Sequence, residues 1–192
     1  GDQRSLYEVV ADSGYVIARG TEDYEAKKAT TDKMIFFQYQ AESDVDPFSL
    51  PYWIDHKPGQ VAIQDILRAQ IDFLYTKDVD KKGFFIMNEI GGKIDFACHP
   101  NDAATAFAEV ATSDSAVQVA YDFYLQHPDE TLIVITADHE TGGLTLGNSR
   151  GHYNTNFQLL QNQKCSDGMF TKKLQALRAE TRNKVTWEQV KS

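Results

Sequence analysis

The sequence predicts an α/β fold, a three-layer α/β/α sandwich around a mostly parallel sheet. Short apolar segments rich in β-branched or aromatic residues alternate with longer amphipathic segments, as in parallel sheets covered by helices. The continuous apolar run at residues 132–135 is typical of a strand buried on both faces. A length of 192 residues, with 42% hydrophobic and 24% charged residues, fits one globular domain.

The elements follow from local patterns. Ser5 and Glu8 have the spacing of a capping box at the start of a first helix. A long connection through Pro47, Pro51 and Pro58 separates the second strand from the next helix. The predicted strands cover residues 15–18, 33–37, 83–87 and 132–138. The predicted helices cover residues 5–13, 21–29, 61–75, 101–126, 156–163 and 170–179, and another begins at residue 186.

Composition excludes several classes of partner. A net charge of −9, without a Lys/Arg-rich stripe, argues against a nucleic-acid-binding surface. No apolar run has the length of a membrane span, so we expect no membrane partner. Cys98 and Cys165 are too few for a disulfide scaffold. An anionic substrate would therefore need local cations, either arginines or metal ions.

Polar residues follow the apolar run at 132–135. Asp138, His139 and Glu140 come first, and Gly142 and Gly143 come next. A carboxylate beside an imidazole at the carboxyl end of a buried strand lies where open α/β sheets bind ligands. Asp and His together suit a divalent metal such as zinc. A polar turn with two glycines is the alternative interpretation of these residues alone.

A second group of polar residues follows the apolar segment at 83–87. Glu89 comes first, and Asp95 and His99 stand four positions apart after a glycine pair. One helical turn would place Asp95 and His99 on the same face. Alternatively, Asp95 could cap a helix and His99 could be a surface residue. Because two such groups each follow an apolar strand, the hypothesis of a metal centre is favoured.

Together these residues resemble the alkaline phosphatase family. The resemblance is carried by the Glu, Gly-Gly, Ile-Asp and His pattern of residues 89–99 and by the Thr-Ala-Asp-His-Glu-Thr-Gly-Gly sequence of residues 136–143. It implies an incomplete alkaline-phosphatase-like fold, with residues 1–192 forming a single α/β domain that is part of a larger one. It also implies hydrolysis of phosphate monoesters, a small-molecule substrate class, through two zinc ions, a magnesium ion and a serine nucleophile.

The resemblance also assigns metal ligands. The matching residues are Asp95 and His99 for the first zinc, Asp138 and His139 for the second zinc, and Glu89 for the magnesium. The spacing from Glu89 to Asp95 is one residue longer than in the family. We interpret Ile90 as an insertion beside the flexible glycine pair, which leaves Glu89 in its role.

Other parts of the family pattern lie upstream of the matched region, including the serine nucleophile and the phosphate-binding arginine. Asp114-Ser115-Ala116 has the letters of the nucleophile motif, but it lies inside a predicted helix and is interpreted as a chance match. His152 follows His139 too soon to be the third histidine of the first zinc. We therefore expect an internal-to-C-terminal fragment that is inactive alone and has no catalytic nucleophile.

Two other functions stay open at this point. One is a related metallohydrolase of the same superfamily, a phosphodiesterase or a phosphonate hydrolase. The other is a non-catalytic α/β binding module. The family resemblance further implies a possible homodimer and a periplasmic or secreted location.

Overall fold

The computed structural model describes residues 3–38, 50–90, 93–145, 147 and 155–191. The strands are β1 (Val16–Arg19) and β2 (Met34–Phe37). The helices are α1 (Leu6–Asp12), α2 (Gly20–Lys27), α3 (Ile63–Lys77), α4 (Ile94–Cys98), α5 (Ala103–Gln126), α6 (Asp167–Glu180) and α7 (Trp187–Lys191). Short 3₁₀ helices cover Lys28–Thr30, Trp53–Asp55 and Phe157–Asn162. Among these residues, no helix combines the length and apolar character needed to cross a membrane.

The first two predicted strands pair as expected. β1 and β2 run parallel, with Val16 opposite Met34 and Arg19 opposite Phe37. α2 connects them, and this β-α-β order is the connection that parallel strands require. The predicted capping box is also present, because the Glu8 carboxylate accepts the Ser5 backbone N–H at 2.7 Å.

The chain forms two compact units. The first consists of Gly1–Leu50, Lys57–Gly92 and Ala111–Thr136. In this unit, Ala18 of β1 and Tyr24 of α2 are buried against Ala69 of α3. The Tyr24 hydroxyl donates to the Ala69 carbonyl at 2.9 Å and lies 3.0 Å from the Asp72 carboxylate. The sheet and its crossover helix are thereby attached to α3.

A second apolar group in the same unit joins α3 to α5. Ile63 and Leu67 of α3 pack with Ala116 of α5, and Ile86 contacts this group. Burying a side chain of the size of Leu67 contributes about 1.5–3 kcal/mol. This packing agrees with the apolar face predicted for the helix at 61–75.

The prediction of a buried strand at residues 83–87 is wrong. Within the part of the chain that the structure describes, the sheet contains β1 and β2 and this segment pairs with neither. Phe84 contacts the ring of Phe123 with centroids 6.0 Å apart, and Ile86 is half-buried, but Phe85 is 85% exposed. The alternating exposure of these side chains shows that one side of the segment is packed and the other side faces solvent.

The same correction applies to the strand predicted at residues 132–138. In the described residues this segment has no strand pairing, and Leu132 and Val134 are exposed while Ile133 is half-buried. The apolar run predicted two covered faces. A strand needs neighbouring backbone to satisfy its N–H and C=O groups and a layer on each face to bury its side chains. The described residues supply neither in full.

The second unit consists of Pro51–His56, Lys93–Val110 and Ala137–Ser192. Its centre is an ion pair between Lys93 Nζ and Glu109 Oε2 at 3.1 Å, with the two side chains only 8% and 0% exposed. Glu109 also accepts the backbone N–H of Trp53, and Lys93 donates to the Pro51 carbonyl. Burial lowers the pKa of Lys93, against the opposing effect of the Glu109 carboxylate.

Further polar contacts attach the C-terminal part of this unit. The Ser166 N–H and hydroxyl donate to the Asp55 carboxylate. The Asp167 N–H donates to Asp102 at 2.8 Å, and the Gln163 amide contacts the same carboxylate. The start of α6 is therefore held by two acidic side chains, one before α5 and one in the segment of residues 51–56.

We expect Glu109→Gln to lower the free energy of unfolding by about 3–5 kcal/mol, because it leaves the Lys93 charge buried without a counter-charge. The double variant Lys93→Met with Glu109→Gln should regain a large part of this loss. Urea unfolding of the single and double variants measures both effects. Asp80→Asn, which breaks an exposed pair with Lys82, is the control and should change little. Purely additive losses would contradict this account.

Candidate metal centre

Helix α4 presents Asp95 and His99 on one face. The two residues are four positions apart, and His99 Nε2 lies 3.2 Å from Asp95 Oδ1. The backbone at His99 is still helical, with its N–H donating to the Asp95 carbonyl at 2.9 Å. Lys93, directly before α4, is buried in the ion pair with Glu109, which fixes where the helix begins.

A loop of the same unit brings His139 to these side chains. His139 Nε2 lies 3.7 Å from Asp95 Oδ1, and the imidazole centroids of His99 and His139 are 5.8 Å apart. One nitrogen or oxygen atom from each of the three residues lies within 4.8 Å of the others. We call Asp95, His99 and His139 the ligand cluster.

The loop reaches α4 because Gly142 has no side chain. A Cβ at this position would lie 2.3 Å from the Cys98 carbonyl oxygen and 2.6 Å from that of His99. Both contacts are with backbone, which no rotamer change can relieve. Glycine is therefore required for the loop to lie against the end of α4.

Two hydrogen bonds orient His139 and its loop. His139 Nδ1 lies 2.6 Å from the Glu140 carbonyl oxygen, which can only accept, so Nδ1 carries the proton of this bond; in the neutral imidazole the Nε2 lone pair then lies on the side of Asp95. This bond, with the nearby Asp138 carboxylate adding to it, raises the pKa of His139. The Gly143 N–H donates to Glu140 Oε1 at 2.6 Å and closes the loop. Metal-binding histidines commonly donate their second ring nitrogen to a carbonyl in this way.

The ligand cluster has the properties expected of a cation site. Asp95 Oδ1 is shielded from solvent and accepts no hydrogen bond among the described residues, although His99 Nε2 lies 3.2 Å from it. On the loop, His139 Nε2 lies 3.7 Å from this oxygen. In the neutral imidazole this nitrogen offers a lone pair, and a positive ion between it and the carboxylate oxygen is attracted to both. One carboxylate oxygen and two imidazole nitrogens form a donor set typical of zinc.

The other predicted ligands lie in different surroundings. Asp138 is 84% exposed, with Oδ2 3.3 Å from His139 Nε2, so its carboxylate borders the ligand cluster. Glu89 is exposed and belongs to the first unit. His152 lies outside the described residues. The family resemblance assigns His139 to a different ion from Asp95 and His99, and in the structure one ligand atom from each of the three lies within 4.8 Å of the others.

Sequence reasoning missed the residues that assemble the ligand cluster. In the sequence, Gly142 is only one of two glycines in a possible polar turn, whereas in the structure its approach to α4 is a close packing constraint. Asn101, which follows the histidine of α4 by two positions, donates its side-chain amide to the Gly142 carbonyl. The signal available in the sequence was the glycine pair that follows the predicted ligands Asp138 and His139 after two residues, because glycine is common where backbones approach closely.

The fold and the ligand cluster define an α/β protein with a candidate metal centre, and comparison with known proteins identifies its family. The sequence model of the alkaline phosphatase family matches residues 38–191. Alkaline phosphatase 4 of Bacillus subtilis is 33% identical over 146 residues, covering 72% of this chain and 30% of the relative. Alkaline phosphatase 3 of the same organism is 39% identical over 105 residues, covering 55% and 21%.

A solved structure agrees with these sequence matches. The crystal structure of a cold-active alkaline phosphatase from a psychrophilic Shewanella species superposes with a TM-score of 0.67 at 29% identity. The match covers 88% of this chain and 39% of that one. The chain belongs to the alkaline phosphatase family, as its motifs predicted. It spans less than two fifths of the length of these relatives.

Gly142→Ala should destabilise the protein by about 1–3 kcal/mol, because the added methyl group overlaps two backbone carbonyls that cannot move independently. Gly143→Asn is the matched control. Gly143 has a φ of 74°, which asparagine tolerates, and a Cβ there meets nothing within 4 Å. Urea unfolding compares the two, and equal stability of both variants would contradict the close packing of Gly142.

Proposed function

We propose that this chain supplies metal-binding residues to a metal-dependent phosphatase that hydrolyses phosphate monoesters. The observation that carries the proposal is the convergence of Asp95, His99 and His139 around a carboxylate oxygen that accepts no hydrogen bond among the described residues. Membership of the alkaline phosphatase family supports a phosphatase-type hydrolase. It also favours a monoesterase over a phosphodiesterase or a non-catalytic module.

The proposed metals are two zinc ions and one magnesium ion. Asp95 and His99 would hold the first zinc, Asp138 and His139 the second, and Glu89 the magnesium. The donor types suit this division, since imidazole with carboxylate favours zinc and carboxylate alone favours magnesium. When bound, such ions supply positive charge against the negative charge of the transferring phosphoryl group.

The surrounding residues of this chain would orient the ligands. The Glu140 carbonyl holds the proton of His139 on Nδ1, so that Nε2 stays available as a donor to metal. The buried pair of Lys93 and Glu109 fixes the start of α4 and therefore the direction of Asp95. Local positive charge is needed here because the chain carries a net charge of −9, which would repel a phosphate ester.

In this proposal, the serine nucleophile is a residue outside the 192 residues of this chain. Ser115, in the Asp-Ser-Ala sequence of α5, donates its hydroxyl to the Ala111 carbonyl one turn earlier in the same helix. That is the usual contact of a serine inside a helix. We propose that residues 1–192 are part of one larger phosphatase domain. Export to the periplasm or the medium, and a homodimer, are part of the same proposal by family resemblance.

We expect this chain to bind zinc weakly, and Asp95→Ala and His139→Ala each to reduce the affinity at least tenfold, because each removes one converging donor. Competition with a chromophoric chelator at pH 7.5 measures the affinities. His127→Ala is the control, because the His127 ring packs against Phe123, with ring centroids 4.5 Å apart, in the first unit. Equal affinities for all four proteins would contradict the metal site.

The chain alone should show negligible zinc- and magnesium-dependent hydrolysis of an aryl phosphate, because the proposed nucleophile is absent from it. Release of the phenolate, followed by absorbance at alkaline pH, is the measurement. Turnover that depends on zinc and persists in Ser115→Ala would contradict the proposal of an external nucleophile. Turnover that Ser115→Ala abolishes would place the nucleophile in α5.

A further inference from the structure

We propose that Asn101 is a positioning residue for the metal centre. Its side-chain amide holds the Gly142 carbonyl against the end of α4 and so keeps His139 beside Asp95 and His99. The inference deepens the proposed function, on which the metal-binding role of these three residues rests. The contact itself is independent of any metal.

The backbone around Asn101 places its side chain at the end of α4. The Asn101 N–H donates to the Cys98 carbonyl at 3.0 Å, and the Asp102 N–H donates to the Ala97 carbonyl at 2.9 Å. Asn101 has a φ of 58°, in the left-handed region that asparagine tolerates better than most residues. The chain therefore turns sharply after α4, with the asparagine amide beside the last helical residues.

The next residue, Asp102, also holds this turn in place. The Asp102 carboxylate accepts the Asp167 N–H at 2.8 Å, and Asp102 is buried. Asn101 thus projects from a backbone that is anchored on both sides of it. A side chain on such a backbone has fewer conformations to lose when it forms a hydrogen bond.

The amide of Asn101 makes the attractive contact with the loop. Its Nδ2 donates to the Gly142 carbonyl oxygen at 2.9 Å. The Cys98 and His99 carbonyl oxygens limit how closely Gly142 can approach, but they are acceptors and donate nothing to it. The Asn101 amide therefore supplies a directional bond that keeps Gly142 at this distance.

The position of Gly142 controls that of His139 through a short closed loop. Gly142 follows His139 by three residues, and the Gly143 N–H donates to the Glu140 side chain at 2.6 Å. Glu140 in turn accepts from His139 Nδ1 through its backbone carbonyl. A displacement of Gly142 is consequently transmitted to the imidazole of His139, whose Nε2 lies 3.7 Å from Asp95.

Two substitutions distinguish the effect of the Asn101 side-chain amide from the effect of its left-handed backbone conformation. Asn101→Gly keeps the left-handed conformation without strain and removes the side chain. Asn101→Asp keeps the shape and the tolerance for positive φ but replaces the N–H donor with an acceptor, which repels the Gly142 carbonyl. Asn183→Gly is the matched control, because Asn183 follows α6 with a φ of 63°.

The experiment uses the full 192-residue chain with two readouts. The first, without metal, is a nuclear Overhauser contact between carbon-bound ring protons of His99 and His139, whose centroids are 5.8 Å apart. The second is the affinity for zinc chloride by chelator competition. The thermal midpoint of each variant is measured alongside.

We expect wild type and Asn183→Gly to show the ring contact and both Asn101 variants to lose it. Zinc affinity should fall about tenfold in the Asn101 variants, as for other residues that orient metal ligands. Their thermal midpoints should stay near that of Asn183→Gly.

Persistence of the ring contact in the Asn101 variants, or its absence from wild type, overturns the inference. So does a thermal midpoint that falls well below that of the control, because Asn101 would then support the fold in general. A wild-type chain that binds no zinc overturns the proposed function, and the ring contact alone then decides the role of Asn101.

Discussion

The candidate centre depends on the buried ion pair of Lys93 and Glu109. Burying two charges is costly unless they pair and their remaining donors and acceptors are satisfied. Here the Glu109 carboxylate also accepts the Trp53 N–H, and Lys93 also donates to the Pro51 carbonyl. Three stretches that are distant in sequence are therefore joined at one place. Because Lys93 directly precedes α4, the same pair fixes the start of the helix that carries Asp95.

The arrangement of the ligand cluster lowers the stability of the folded chain locally and prepares the cluster for binding a cation. Asp95 Oδ1 is shielded from water and accepts no hydrogen bond among the described residues, an arrangement that costs free energy. The close approach of Gly142 and the amide of Asn101 hold His139 on the other side of that oxygen. A preorganised set of donors lowers the cost of binding a cation, since less ordering remains to be done when it binds.

The largest difference between expectation and structure concerns the two apolar segments at 83–87 and 132–135. Their composition predicted buried strands, yet Phe85 and Leu132 are exposed and neither segment pairs in the described residues. The pattern of apolar residues in a sequence indicates which side chains favour burial. Whether a layer covers them, and whether another backbone supplies hydrogen bonds, depends on elements elsewhere.

Local interactions were readable from the sequence by itself. The capping box of Ser5 and Glu8, the parallel pairing of β1 and β2, the apolar face of α3 and the alkaline phosphatase family all followed from short-range patterns. The shared face of Asp95 and His99 is a consequence of helical spacing, which is also local. The tertiary structure alone decided that His139 joins them, because that contact depends on Gly142 and Asn101, forty-one positions apart. Such long-range packing depends on backbone distances that no short-range pattern encodes.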